Sequence, residues 1–250
     1  MRVVWRVVLR GTAVACLALA SAACGLFDAP PPLPTTTKAD ANLLVNAGFE
    51  TGAAPWVAAT VPPQPGAAIE LSERLPHAGA NAVELKLAGG EGDEGARATV
   101  ATQAANPAAF PEFVSGFYRV DDWQPHAPFQ YLYFSITVHG GDFRDGLPTH
   151  ELRVLVGATV EPPLQTFVTY AFLSRAAPVL HRWTYFGFPV KEAFEPHFAQ
   201  LPSRWDGIDV SVAVRYDVRN AHDAPASASV VFDDLYAGRQ ADNPNRPPDP

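Results

Sequence analysis

The sequence predicts an all-β chain folded as a two-sheet antiparallel β-sandwich. Segments in which apolar and polar residues alternate recur along the chain, most clearly at 130–139 and 208–216. Turn-forming residues separate these segments. One short segment, 191–200, has helical character, and Pro196 limits it. Many strands, frequent turns and almost no helix are the pattern of an antiparallel sandwich.

The elements follow in order. Residues 1–23 read as a targeting segment. Arg2, Arg6 and Arg10 are a basic start, and Gly11 to Ala23 is an apolar run too short to span a bilayer comfortably. Small residues followed by Cys24 resemble the lipobox of bacterial lipoproteins. That resemblance implies a lipidated, palmitate-bearing Cys24, with the protein extracytoplasmic and anchored in the outer membrane or at the cell surface. Ser21 departs from the usual Leu, so ordinary cleavage near Ala22 or Ala23 is the alternative. Cys16 falls in the removed segment, so the two cysteines cannot form a disulfide within the mature chain. Residues 24–41 carry a Pro- and Thr-rich stretch that reads as a semi-rigid tether. The folded domain is expected from Asn42 to Gly238, and 239–250 is expected to be a disordered tail. About 200 residues suffice for one sandwich with its own core.

Within the domain, early strands are expected near 68–71, 82–87 and 96–102, followed by 113–120 and 130–139. In 130–139, Leu132, Phe134, Ile136 and Val138 share one face, and Tyr131, Tyr133, Ser135, Thr137 and His139 share the other. A Gly-rich turn at 140–146 comes next. Further strands are expected at 150–156, 165–173, 181–188, 208–216 and 227–235. Ile208, Val210, Val212, Val214 and Tyr216 form the apolar face of their strand.

Composition excludes several functions. The net charge is −8 with no basic run, which disfavours a nucleic-acid partner. No second apolar run approaches membrane-spanning length, so membrane attachment is expected through lipid alone. There is no His-Glu-x-x-His, Gly-x-Ser-x-Gly or phosphate-binding Gly loop, and the seven His residues lack zinc-site spacing. The loop pairs Asp121 with Asp122 and Asp142 with Asp145 read as turn-shaping residues, not as a glycosidase pair.

Four stretches carry a family resemblance. Asn42 to Gly52 (NLLVNAGFETG) is followed by Pro55 and Trp56. Pro76 to Lys86 (PHAGANAVELK) is a small-residue turn feeding a strand. Trp183 to Phe186 (WTYF) opens a later strand, and Phe232 to Leu235 (FDDL) lies in the closing one. Together they resemble carbohydrate-binding modules of families four, nine and twenty-two. The resemblance implies a galactose-binding-like jelly roll. It also implies a structural calcium where the chain ends meet, since calcium takes six to eight oxygen ligands. Glu50 and Asp233 match the carboxylate ligands, and the carbonyls of Gly48 and Ala80 the backbone ligands. Asp234 is the lesser candidate because the first Asp matches the position that recurs in the motif, and strand alternation sends the two side chains to opposite faces. The alternative is that Glu50 caps a turn and Asp233 pairs with an Arg.

Sugar sites combine aromatic rings with polar groups that orient hydroxyls. The expected platform is Arg119, Tyr131, Tyr133 and His139, with Trp123 at the rim. The alternative is that the tyrosines lie under a covering loop. Trp56 and Trp183 match core positions. The expected function is non-catalytic glycan binding at the bacterial cell envelope, not enzymatic. A structural or protein-interaction sandwich is the alternative, and a polysaccharide hydrolase or lyase is a third reading.

Overall fold

The structure is a computed structural model and describes residues 41–63, 70–89, 94–125, 129–220 and 222–245. The signal segment, Cys24 and the tether as far as residue 40 lie outside them.

The chain forms β1 (Val57–Val61), β2 (Glu70–Ser72), β3 (Ala82–Gly89), β4 (Arg97–Ala105), β5 (Phe113–Gln124), β6 (Gln130–His139), β7 (Thr149–Ala158), β8 (Val168–Phe172), β9 (Thr184–Phe188), α1 (Val190–Phe198), β10 (Gly207–Tyr216) and β11 (Ala226–Gly238). A six-stranded sheet has the order β1-β4-β10-β6-β7-β8, and a five-stranded sheet the order β2-β3-β11-β5-β9. The expected two-sheet sandwich is present. Its pairs are antiparallel except β7 with β8, which run parallel. The chain between them, 159–167, is a crossover and not a hairpin, so β8 re-enters in the direction of β7.

The period-two pattern places the core where the sequence puts it. Leu132, Phe134, Ile136 and Val138 of β6 face inward with Val210, Val212 and Val214 of β10. Leu85 of β3, Tyr118 and Val120 of β5, and Val230 and Phe232 of β11 meet them from the other sheet. Trp56 is buried, and its ring lies 5.4 Å from that of Phe49. Trp183, expected in the core, is only partly buried and stands edge-on to His77.

Two boundaries differ from expectation. Residues 43–48 form turns, not a strand, and the ends meet through an isolated bridge between Asn42 and Gly238. The Asn42 side chain does the work of a strand there: it donates to the Leu235 carbonyl (2.9 Å) and accepts from the Ala237 amide (3.0 Å). The tail also departs from disorder over its described part. Residues 240–242 make a 3-10 turn, and Asn243 is buried, its Oδ1 accepting from the Ser115 hydroxyl at 2.8 Å. Ser115 is a polar residue at full burial, and a partner supplied by the tail satisfies it.

Candidate functional site

The outward face of the six-stranded sheet is built by register. Val57, Thr102, Ser211, Ser135, Arg153 and Tyr170 stand side by side across its six strands. The neighbouring row is Ala59, Val100, Ala213, Tyr133, Leu155 and Phe172. On the other side of the first row, Asp209, Thr137, Glu151 and Val168 line up. These side chains point away from the core, yet Ser135 is 1%, Ser211 7%, Glu151 8% and Arg153 6% exposed. Small residues, Ser211 and Ser135, occupy the middle strands with the larger Arg153 and Tyr170 beside them.

One end of this face is aromatic. Tyr131, Tyr133 and Tyr170 pack with Leu155, Ala158, Val168 and Ala213 in a cluster separate from the main core. Tyr131 and Tyr133 are 0% and 3% exposed, which corrects their expected role as an open stacking platform. The reason is β8, which comes 35 or more positions later in sequence and lays Tyr170 against Tyr131, with ring centroids 6.3 Å apart. Burial pushes the Tyr133 phenol up to about 12, and the Tyr131 phenol further up still.

A chain of hydrogen bonds crosses three strands through these rings. Glu151 holds Arg153 from both oxygens, at 2.8 and 2.9 Å. Arg153 Nη1 donates to the Tyr131 hydroxyl at 3.1 Å, and that hydroxyl donates to Asp217 at 2.8 Å. Asp217 also accepts from Arg215 Nε at 2.5 Å. The Arg153 guanidinium sits 4.9 Å from the Tyr133 ring centre, within cation–π range. At the opposite end His139 pairs with Asp209 at 2.8 Å, and both remain partly exposed.

The remaining expected binders do not join this face. Arg119 lies on β5 in the five-stranded sheet, where its Nε pairs with Asp121 Oδ1 at 2.8 Å. Trp123, on the same strand, packs partly buried against the core and is not a rim residue of this face. The expected platform is therefore divided between the two sheets. Sequence reasoning overlooked Arg153, Glu151, Thr102 and Ser211. The signal was present in β7, where Glu151 and Arg153 alternate with Leu152 and Val154 in an apolar strand.

The predicted calcium residues do converge. Glu50 accepts from the Ala80 amide (3.0 and 2.9 Å to its two oxygens) and the Asn81 amide (3.2 Å). Asp233 accepts from the amides of His77 (2.7 Å), Ala78 (3.2 Å) and Asp234 (2.7 Å). A methyl group added to Gly48 would stand 3.6 Å from Asp233 Oδ1 and 3.5 Å from Asp234 Oδ1. Asp234 thus lies on the same side as Asp233, against the expected alternation, because its φ of 49° and the neighbouring register shift break the strand. Burial, and then the charge of Asp234, raise the Asp233 carboxyl to about 6. Donors made only of oxygen fit a hard cation. In the present geometry, however, Glu50 and Asp233 serve backbone amides, and among the described residues no three His, Cys, Asp or Glu converge as a metal-binding group.

Fold and face together define the class: a two-sheet β-sandwich whose larger sheet carries polar and aromatic side chains on its outward face. No family model and no curated protein matches the sequence. Among solved structures the chain is similar to a family 61 carbohydrate-binding module in complex with β-1,4-galactotriose, at 16% identity and TM-score 0.42, covering 80% of this chain and 99% of that one. It is similar to a xylan-binding domain of carbohydrate-binding family 22, at 14% identity and TM-score 0.43, covering 80% and 96%. It is also similar to the enzymatically active domain of a bacteriophage tailspike protein, at 8% identity and TM-score 0.40, but spans only 21% of that chain. Likeness at this level carries neither a ligand nor a reaction over to this chain.

Proposed function

We propose that this chain binds a glycan, without catalysis, on the outward face of the six-stranded sheet. One observation carries the reading: the outward face of the six-stranded sheet carries a continuous row of polar side chains, Thr102, Ser211, Ser135 and Arg153, with the partly exposed His139 and Asp209 at one end. Hydroxyls and partly exposed polar groups on a sheet face, among them Thr102, Thr137, His139 and Asp209, suit a ligand made of hydroxyl groups on an apolar ring. The ligands of the two modules named above, galactotriose and xylan, supply the first probes. A glycan array followed by isothermal titration tests the reading. Saturable binding that His139→Ala or Asp209→Ala, at the exposed end of the face, weakens supports it. Absence of binding across neutral and acidic glycans defeats it.

Two further expectations belong to the same proposal. Structural calcium beside Gly48, Glu50, Ala80 and Asp233 would offset the charge concentrated there and bind the first turns to the closing strand. Lipidation of Cys24 would hold the domain at the bacterial cell envelope; palmitate labelling that Cys24→Ser removes is the corresponding measurement.

A further inference from the structure

Independently of the glycan reading, we propose that the C-terminal tail is a latch. Docked through Asn245, it holds an irregular stretch of β11 in the form that presents Asp233 and Asp234 to the turn before β3, and it lifts away without unfolding the sheets.

A break in the ladder creates the need for it. Asp233 stands opposite Phe117 and Tyr236 opposite Ser115, so Asp234 and Leu235 together span the place of one residue, Gly116. Asp234 has a φ of 49° there. Residues displaced from a ladder need other partners for their backbone groups. The two ends of the chain supply most of them. Leu235 donates to the Ala47 carbonyl at 3.1 Å, and its own carbonyl accepts from the Asn42 side chain at 2.9 Å. The Asp234 amide goes to the Asp233 carboxylate. The Asp234 carbonyl accepts from Asn245 Nδ2, in the tail.

The hold of the tail is polar and slight. Its 3-10 turn, Gln240–Asp242, buries no residue. Asn243 and Asn245 do the docking. Asn243 Oδ1 accepts from the Ser115 hydroxyl at 2.8 Å and from the Asn245 amide at 3.0 Å, and Asn245 Nδ2 reaches the same hydroxyl at 3.4 Å. Among the described residues, none beyond Ala237 joins the apolar core between the sheets. A segment with so little apolar burial opens at a fraction of the global unfolding free energy.

The other side of the irregular stretch grips the turn. Asp234 pairs with the His77 ring at 2.7 Å, and Asp233 accepts from the His77 and Ala78 amides. The same turn gives its Ala80 and Asn81 amides to Glu50. A non-glycine residue in the left-handed region persists only where its surroundings hold it. Loss of the Asn245 bond lets Asp234 relax toward ordinary strand geometry, in which alternation turns its side chain away from His77. The His77 ring lies flat on Phe117, so a turn set loose also uncovers that ring.

Amide hydrogen exchange of the full chain tests the latch. Asn245→Ala should speed exchange in the turn, residues 77–81, about fivefold or more, with β6 and β10 unchanged. Asn245→Asp keeps the shape and loses the donor, and should do the same. Coupling is reciprocal, so His77→Ala should speed exchange at the amides of Asp242, Asn243 and Asn245 by a similar factor. A turn whose exchange is unchanged in both Asn245 variants overturns the proposal. Exchange that rises equally in β6 and β10 also overturns it, because the tail would then belong to the cooperative core. A tail untouched by His77→Ala removes Asp234 as the link and overturns the coupling. Each of these results leaves the glycan reading where it stands.

Discussion

The Asp233 carboxylate accepts the His77 amide at 2.7 Å, joining two residues 156 positions apart. The His77 ring then pairs with Asp234 at 2.7 Å and stacks on Phe117 with centroids 3.6 Å apart. The turn before β3 is thus held by the closing strand and by β5 together. Its charge balance is poor, because Asp233 is wholly buried next to Asp234.

That imbalance leads to the metal prediction. Calcium at about a hundred times its dissociation constant should stabilise chelator-treated protein by about 2.7 kcal/mol. In a domain of this size that raises the melting temperature by roughly 5–10 °C. Asp233→Asn should lose the response. A melting curve indifferent to calcium would mean that the amides alone hold the turn.

Gly79 is constrained by the same juncture. Its φ is +67°, and a Cβ there would stand 2.1 Å from Glu50 Oε1. Gly79→Ala should destabilise by about 2–4 kcal/mol, since it adds a displaced carboxylate to backbone strain. In the Glu50→Ala background the same change should cost only the backbone share, about 1 kcal/mol. Urea unfolding of the four proteins measures the coupling, and additive costs would refute the clash.

Alkaline pH should expose the buried phenols. The Tyr133 phenol is raised from its ordinary 10 to about 12 by burial, so the folded state holds that proton more tightly than the unfolded state. The stabilisation is complete below pH 10 and is lost as pH rises through 12, on the order of 2–3 kcal/mol for this group. Absorbance at 295 nm should show a phenolate fraction that ionises only as the protein unfolds, and that fraction should shrink in Tyr133→Phe.

The tail is structural as far as Asn245. Asn243→Ala leaves the buried Ser115 hydroxyl without the Asn243 carbonyl and removes a weaker bond from Asn243 Nδ2 to the Tyr185 hydroxyl, at 3.4 Å. The expected loss is about 1–3 kcal/mol in denaturant unfolding. An unchanged midpoint would show that Asn245, whose Nδ2 also reaches Ser115 at 3.4 Å, takes over.

Alternation made much of the fold legible, because one buried face per strand writes a period of two into the sequence. Residues 130–139 show both its faces correctly. What alternation lacks is the partner across each face. Nothing near Tyr131 announces that Tyr170 will cover it, since that contact depends on the crossover to a parallel β8. Arg119 and Tyr131 are 12 positions apart, but the chain changes sheets between them. At Asp233 and Asp234 the rule itself fails, because a left-handed residue in the strand turns both carboxylates the same way. The turn residues around Glu50 were legible for a different reason: they come from a resemblance of motifs, which preserves local geometry that periodicity cannot express.

The bridge between Asn42 and Gly238 makes the folded chain nearly a closed ring. The Leu43 amide donates to the Ala237 carbonyl at 2.8 Å, so a short linker could join these ends with little disturbance. The point at which the polypeptide is cut is then a matter of genetic order more than of architecture. A circular permutant opened between α1 and β10, near Ser203, should keep both sheets, and would carry its two termini at the opposite edge of the domain's own wiring.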